Sequence, residues 1–395
     1  MRALVVEQGW SRGGLAAVRA LASAGWTVGV AAPDPRGLAL WSRSCDRAHW
    51  VPPLQRSADA FVEAVARAVR AGGDDVVFGS GEAEVLALSA ARDALGAAFP
   101  HGPHASVLRA LDKAELSADA AAVGIAVPEV VPLEAVPDEV TPVVVKARLH
   151  ARPDVPGAPP RIDTTVAVGR TAAGRKVEAI RALGGDPQVQ LFHSGTLTAY
   201  AAVRGRSGEG VVADSWQRAS RIWPSDAGAS SRAETVPGDE ELTRRAEALL
   251  DRLDWFGLAE LQFLAGDDGV HRLIDLNGRF YGSLSLAVAA GVNLPAVWAD
   301  LAVGRRAGQR VRAVPGVRYQ WGTADARRAL TERRGGLLAD VAATVGYGLR
   351  ARHSVLDVTD PGPALARLLG RAKTSGAATE TAVPAEAVEG QAAAA

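Results

Sequence analysis

Two apolar runs joined by a polar Gly-Asp-Asp-Gly turn, spanning Gly257 to Arg279, constrain this chain more than any other segment. The pattern reads as a β-hairpin, with Glu260 on the first strand and Asp275 and Asn277 two residues apart on the second. Side chains alternate across a strand, so Asp275 and Asn277 share a face. Three oxygen-bearing side chains beside Arg279 suit a hard cation and the phosphates such a cation carries. The competing reading is a solvated sheet face with scattered acids.

Composition sharpens the choice. Of 44 basic residues only four are lysines (Lys113, Lys146, Lys176 and Lys373), and the chain has only two asparagines, Asn277 and Asn293. Arginine has replaced lysine almost everywhere, so a surviving lysine marks a position where a compact point charge is needed. One of the two asparagines falls in the candidate cation site.

The 395 residues suffice for two or three domains, and the net formal charge is zero. Nothing in that balance calls for a nucleic acid or an anionic membrane as partner. The single cysteine, Cys45, excludes an internal disulfide framework and reads as a structural thiol. The opening Met1 to Glu7 turns polar too soon for a signal peptide. The longest apolar stretch, Leu284 to Gly304, is broken by Asn293, Pro295 and Asp300 and reads as a buried helix and loop. A cytoplasmic protein is expected.

The N-terminal texture is strand, glycine turn, helix, strand: Ala3 to Glu7, Gly9 to Gly14, Leu15 to Ala24, Thr27 to Ala31. This is a Rossmann-like βαβ unit with a parallel sheet. The turn is spaced G-x-x-x-G-G rather than G-x-G-x-x-G, which leaves an NAD(P)-dependent oxidoreductase, with Asp34 after the second strand, as an alternative reading. Helices follow at Val107 to Leu111 and Lys113 to Val123, then a strand Val143 to Lys146 and a loop, His150 to Thr164, with four prolines. Residues 305 to 352 are Arg-rich and read as a solvated face.

Taken in order, Leu111-Asp112-Lys113, Val143-Val-Val-Lys146, Val189-Gln-Leu-Phe-His193 and Glu260 with Asp275-Leu-Asn277-Gly-Arg279 resemble the ATP-grasp superfamily, in particular its carboxylate–amine ligases. The resemblance implies an α/β and α+β chain: a Rossmann-like pre-ATP-grasp domain (residues 1–105) followed by a two-subdomain ATP-grasp fold. The subdomains are expected at 106–187, small and lid-like, and at 188–310, carrying the metal site. A C-terminal extension (311–372) and a disordered tail (373–395) complete the chain. By the same resemblance Lys113 and Lys146 hold the phosphates of ATP. Gln190, Leu191, Phe192 and His193 form the adenine hinge. Glu260, Asp275 and Asn277 bind magnesium, with manganese as an alternative, and Arg279 is catalytic. An acyl phosphate, an amide product and release of ADP and phosphate are implied.

Three departures from the family pattern stand out: Asp rather than Glu at 275, Leu rather than Glu at 191, and one glycine, Gly157, in the loop that usually carries several. The substrates expected are a small carboxylic acid and an amine, with Arg218 and Arg221 as a candidate carboxylate clamp. A homodimer is an open option. A non-catalytic ATP-binding protein of the same fold is the third reading.

Overall fold

The computed structural model describes residues 1–374 except 139, 156, 207, 226, 306 and 307. Short β-branched runs alternating with Ala-rich helices build the N-terminal layer. It comprises β1 (Arg2–Val6), α1 (Arg12–Ser23), β2 (Thr27–Ala32), β3 (Arg47–Trp50), α2 (Ala58–Gly72), β4 (Val76–Gly79) and α3 (Glu82–Ala90). The four strands are parallel in the order β3-β2-β1-β4. Helix α1 starts three residues earlier than its apolar pattern suggests, because Ser11 caps it by accepting the Gly14 N–H. Gly13 has a packing role in that first turn. A Cβ there would lie 2.4 Å from the Phe280 carbonyl oxygen, so another part of the chain occupies the approach a dinucleotide would need. Asp34 is likewise engaged, by Arg36 at 2.7 Å.

Helices α4 (His104–Leu111) and α5 (Lys113–Ala122) lead to a second, smaller body. There β5 (Pro142–Ala147) pairs antiparallel with both β6 (Thr165–Val168) and β7 (Pro187–Leu191), and α6 (Arg170–Ala182) covers the sheet. Val143, Val145, Val177, Ile180 and Val189 give this lobe its own core. The boundary expected at residue 188 therefore moves: β7 belongs to the lobe, which runs to Leu191.

The third sheet is antiparallel for most of its width. It contains β8 (Thr196–Arg204), β9 (Val211–Trp223), β10 (Ala229–Thr235), β11 (Gly257–Ala265) and β12 (His271–Asn277), with α7 (Glu240–Arg252) between β10 and β11 in sequence. Helices α8 (Leu284–Ala289) and α9 (Leu294–Ala302) follow, then β13 (Val311–Arg312), β14 (Arg318–Gln320), α10 (Gly322–Glu332), α11 (Leu337–Gly348), β15 (Arg352–His353) and α12 (Gly362–Thr374). The order is β12-β11-β8-β9-β10-β14-β15, with β13 beside β9. Helices α4 and α5 pack on β12, and the start of α5 also meets the small lobe through Arg148, which pairs with Asp112 at 2.7 Å.

The C-terminal extension joins the large sheet through β13, β14 and β15. Its arginines are not simply a solvated face: Arg328 is 1% exposed and donates to Asp340 Oδ2 at 2.9 Å, while Arg232 reaches Asp325 Oδ2 at 2.6 Å from β10. Arg328 also pairs with Asp325 and Glu332 on its own helix, whereas Asp340 comes from α11 and Arg232 from β10, so spacing along the chain shows only part of this network. Farther on, Asp360 accepts from Arg19 Nε (2.8 Å), Ser42 Oγ (2.6 Å) and the Arg43 N–H (2.9 Å), fastening the C-terminal segment to the N-terminal layer. Helix α12 runs to Thr374, so residues 373 and 374 are helical; the rest of the expected disordered tail lies outside the described residues. Leu284 to Gly304 is split into α8 and α9, and no described helix is long and apolar enough to cross a membrane. Burial pushes the Cys45 thiol up to about 11, which suits an inert structural residue.

Candidate active site

The hairpin registers as its alternation requires. Glu260 pairs with Asn277 and Gln262 with Asp275, so all four side chains share one face. The register then slips between Gln262 and Phe263, leaving Ile274 as the extra residue of a β-bulge. The freed Ile274 carbonyl accepts from Lys146 Nζ at 3.3 Å. A local irregularity in one sheet thus fixes a lysine presented by another.

Glu260 is 2% exposed and accepts three amide hydrogen bonds: from Gln217 (3.1 Å), Gln262 (3.0 Å) and Asn277 (2.9 Å). Burial nevertheless raises its carboxyl to about 7. Asn277 spends its NH₂ group on Glu260, which leaves the amide oxygen for a cation. Asp275 behaves in the opposite way. Burial alone would raise its carboxyl, but Lys113 beside it, helped by Arg161, holds it well below the usual range. Burial, and after it the charge of Arg161, lowers the Arg279 guanidinium, while Glu82, Asp275 and Glu260 act in the opposite direction.

From the small lobe, Lys146 and Val144 on β5 face Gln188 and Gln190 on β7. Lys146 is lowered to about 8, first by burial and then by Lys113. The buried Gln190 Nε2 and both amide atoms of Gln188 have no partner. Buried amides without partners are costly unless a ligand satisfies them.

These faces enclose a cavity of about 760 Å³, within the range of small-molecule sites. Lys146, Gln190, Leu191, Phe192, His193, Glu260, Asp275, Asn277 and Arg279 all line it. Lys113 does not. It sits behind Asp275, at 2.5 Å from Oδ1, and reaches the cavity only through that carboxylate. Arg218 and Arg221 are also absent from the lining: Arg218 pairs with Glu234 at 2.7 Å and Arg221 with Asp325 at 3.2 Å. The expected clamp is committed to structural ion pairs.

Two backbone donors of the hinge segment are already spent. The Leu191 and Phe192 N–H groups donate to the Glu129 and Pro142 carbonyls, so the Gln190 side chain becomes the unspent donor. Two further residues escaped the sequence reading. Arg161 and His150, from the proline-containing loop, line the cavity beside the catalytic candidates. His150 Nδ1 lies 3.8 Å from Glu82 Oε2 without a hydrogen-bond partner, and burial keeps the ring neutral. The signal available was cationic residues in a loop that usually offers glycine amides.

Among the described residues no group of three or more His, Cys, Asp or Glu converges on a metal-binding geometry. Two carboxylates and one amide fit magnesium all the same, since that ion keeps waters and takes phosphate oxygens as its remaining ligands.

A small three-stranded lobe and a larger antiparallel sheet lining one cavity, with an N-terminal parallel sheet, give this chain the ATP-grasp fold. Residues 220–324 match a family described as ATP-grasp in the biosynthetic pathway with Ter operon. The chain is similar to the L-amino acid ligase of Bacillus licheniformis at 16% identity, covering 77% of this chain and 74% of that one, with a TM-score of 0.57. N5-carboxyaminoimidazole synthetase of Staphylococcus aureus follows at 10% identity, 80% of each chain and 0.58. The biotin carboxylase domain of Hydrogenobacter thermophilus 2-oxoglutarate carboxylase, solved with magnesium ADP and bicarbonate, matches at 13% identity over 78% of this chain and 71% of that one, with 0.59. No curated protein sequence matches the chain significantly.

Proposed function

We propose that this protein is an ATP-dependent, ADP-forming ligase that joins a small carboxylic acid to an amine. The observation that carries the reading is the convergence of Glu260, Asp275, Asn277, Arg279 and Lys146 on one cavity from two separate sheets. A carboxylate is a poor electrophile because its oxygen is a poor leaving group. Attack of that oxygen on the γ-phosphorus of ATP expels ADP and makes an acyl phosphate. The amine then adds to the acyl carbon, loses a proton, and phosphate leaves as the amide forms.

Each residue has a part consistent with that sequence. Glu260, Asp275 and Asn277 would hold magnesium, which neutralises the phosphates. Lys146 supplies a point charge from the small lobe, and Gln190 offers its unspent amide to the base. Arg279 is positioned to neutralise charge on the transferred phosphoryl group and on the tetrahedral intermediate. Lys113 acts at one remove, by keeping Asp275 ionised and oriented. No covalent nucleophile is needed, and water exclusion by the small lobe protects the acyl phosphate.

Release of ADP across a panel of acids, with and without amines, tests the reading. Oxygen-18 in the acid should appear in the released phosphate if an acyl phosphate forms. ADP release that depends on no acid, or label that stays wholly in the product, would argue against it.

A further inference from the structure

One cation in the cavity wall has no acid to answer it. Arg12, the first residue of α1, lines the cavity; its Nη1 donates to the Tyr319 hydroxyl at 2.7 Å and its guanidinium carbon lies 3.6 Å from the centre of the Trp321 ring. Among the described residues no carboxylate pairs with it. The acids of the wall are otherwise engaged: Asp275 by Lys113, Glu260 by three amides, and Asp163 by Arg161.

The surroundings hold this guanidinium in a fixed orientation. The Tyr319 hydroxyl in turn donates to the Gly282 carbonyl at 2.9 Å, and stacking on Trp321 fixes the guanidinium plane. Gly282 makes the necessary room, since a Cβ there would lie 2.7 Å from Arg12 Nη2. A cation in the first turn of a helix also opposes the helix dipole, an arrangement that an anion placed there would relieve.

Its position relative to the reaction follows from the chain. Gln217 donates both to Glu260 and, at 2.8 Å, to Ser283 Oγ, and Ser283 adjoins Gly282. Arg12 therefore stands next to the cation-binding acids. Tyr319 belongs to β14, on the opposite flank of the large sheet from β12, so Arg12 lies on the side away from the hinge that would take the base.

We propose that Arg12 holds a carboxylate of the amine substrate, so that the acceptor is an amino acid rather than a simple amine. The proposal rests on the ligase reading above. Tyr319 engages only one terminal nitrogen, and the rest of the guanidinium is available to a planar carboxylate. Anchored there, the acceptor would direct its amino group toward the acyl phosphate between Arg279 and Glu260.

The test uses the full chain and the acids found active by ADP release. Each of the twenty protein amino acids is compared as acceptor with the amine left when its carboxylate is removed. Wild type should favour the carboxylate-bearing acceptors by about tenfold or more in kcat/KM, the scale of one hydrogen-bonded charge. Arg12→Gln should raise the acceptor KM by a similar factor, leave the KM for ATP near its original value and erase the preference; Arg12→Lys should restore part of it. Equal use of both kinds of amine by wild type would overturn the proposal while leaving the ligase reading intact. So would a preference that survives in Arg12→Gln, or an equal effect from Arg218→Gln. A uniform loss for every substrate with a lowered melting temperature would mean that Arg12 is a structural strut and nothing more. Failure of every acid to release ADP would overturn the ligase reading and this proposal with it.

Discussion

Lys113 and Asp275 form a buried ion pair, 2.5 Å from Nζ to Oδ1, that ties the N-terminal end of α5 to strand β12. Removing the lysine leaves a carboxylate in low dielectric without its counter-charge. Lys113→Met should therefore cost about 3–5 kcal/mol of stability. Adding Asp275→Asn should recover part of that loss. Urea unfolding of the two single variants and the double variant measures the coupling, and strictly additive losses would contradict it.

Much of this arrangement was legible because strand alternation is a rigid rule. Glu260, Asp275 and Asn277 share a face for the same reason that any residues two apart on a strand do. The bulge at Ile274 was not legible, because register slips depend on the partner strand and leave no mark in spacing. Lys113 stands out in the sequence for its rarity, yet its partner is 162 residues away and only the fold brings the two together. Arg161 and His150 carry no such signal, since each lies in a loop whose direction local sequence does not set, and Arg12 opens a helix whose start the apolar pattern places three residues later. Arg218 and Arg221 looked available because the acids that engage them, Glu234 and Asp325, are remote from them in the chain.

Lys146 makes stability and nucleotide binding respond oppositely to the same change. Its ammonium is lowered to about 8 when folded, below the ordinary lysine value that it regains on unfolding. The folded state thus holds fewer protons between about pH 8 and that ordinary value. The burial penalty is full at neutral pH and is relieved as pH rises through about 8. Lys146→Met should raise the melting temperature at pH 7 and flatten its rise above pH 8. The same variant should gain no thermal stabilisation from Mg-ATP. Melting curves from pH 6 to 10, with and without nucleotide, check both halves.

Arg279→Ala should lower kcat about a hundredfold with a smaller change in the KM for ATP, the usual cost of one preorganised charge-stabilising group. Asn277→Ala should instead raise the magnesium concentration needed for half-maximal rate. Initial rates over a magnesium titration separate the two. Identical kinetic signatures would show that the residues do not divide the work this way.

Arg161 offers a test of the proline-containing loop. If its guanidinium meets the terminal phosphate, Arg161→Ala should weaken Mg-ATP binding about tenfold more than Mg-ADP binding, the scale of one charge-assisted hydrogen bond. Calorimetric titration with the two nucleotides gives the ratio, and equal weakening would place Arg161 elsewhere.

The clasp at Asp360 has a mechanical corollary. With the segment before α12 fastened to the N-terminal layer and β14 and β15 knitted into the large sheet, β1 and the last described helix belong to one frame. The three-stranded lobe has a core of its own and is the natural moving jaw. Lys146 and Gln190 ride on that jaw, whereas Glu260, Asp275, Asn277 and Arg12 are mounted on the frame. Nucleotide bound between them would act as the latch, since only a molecule gripped by both parts can hold the jaw shut.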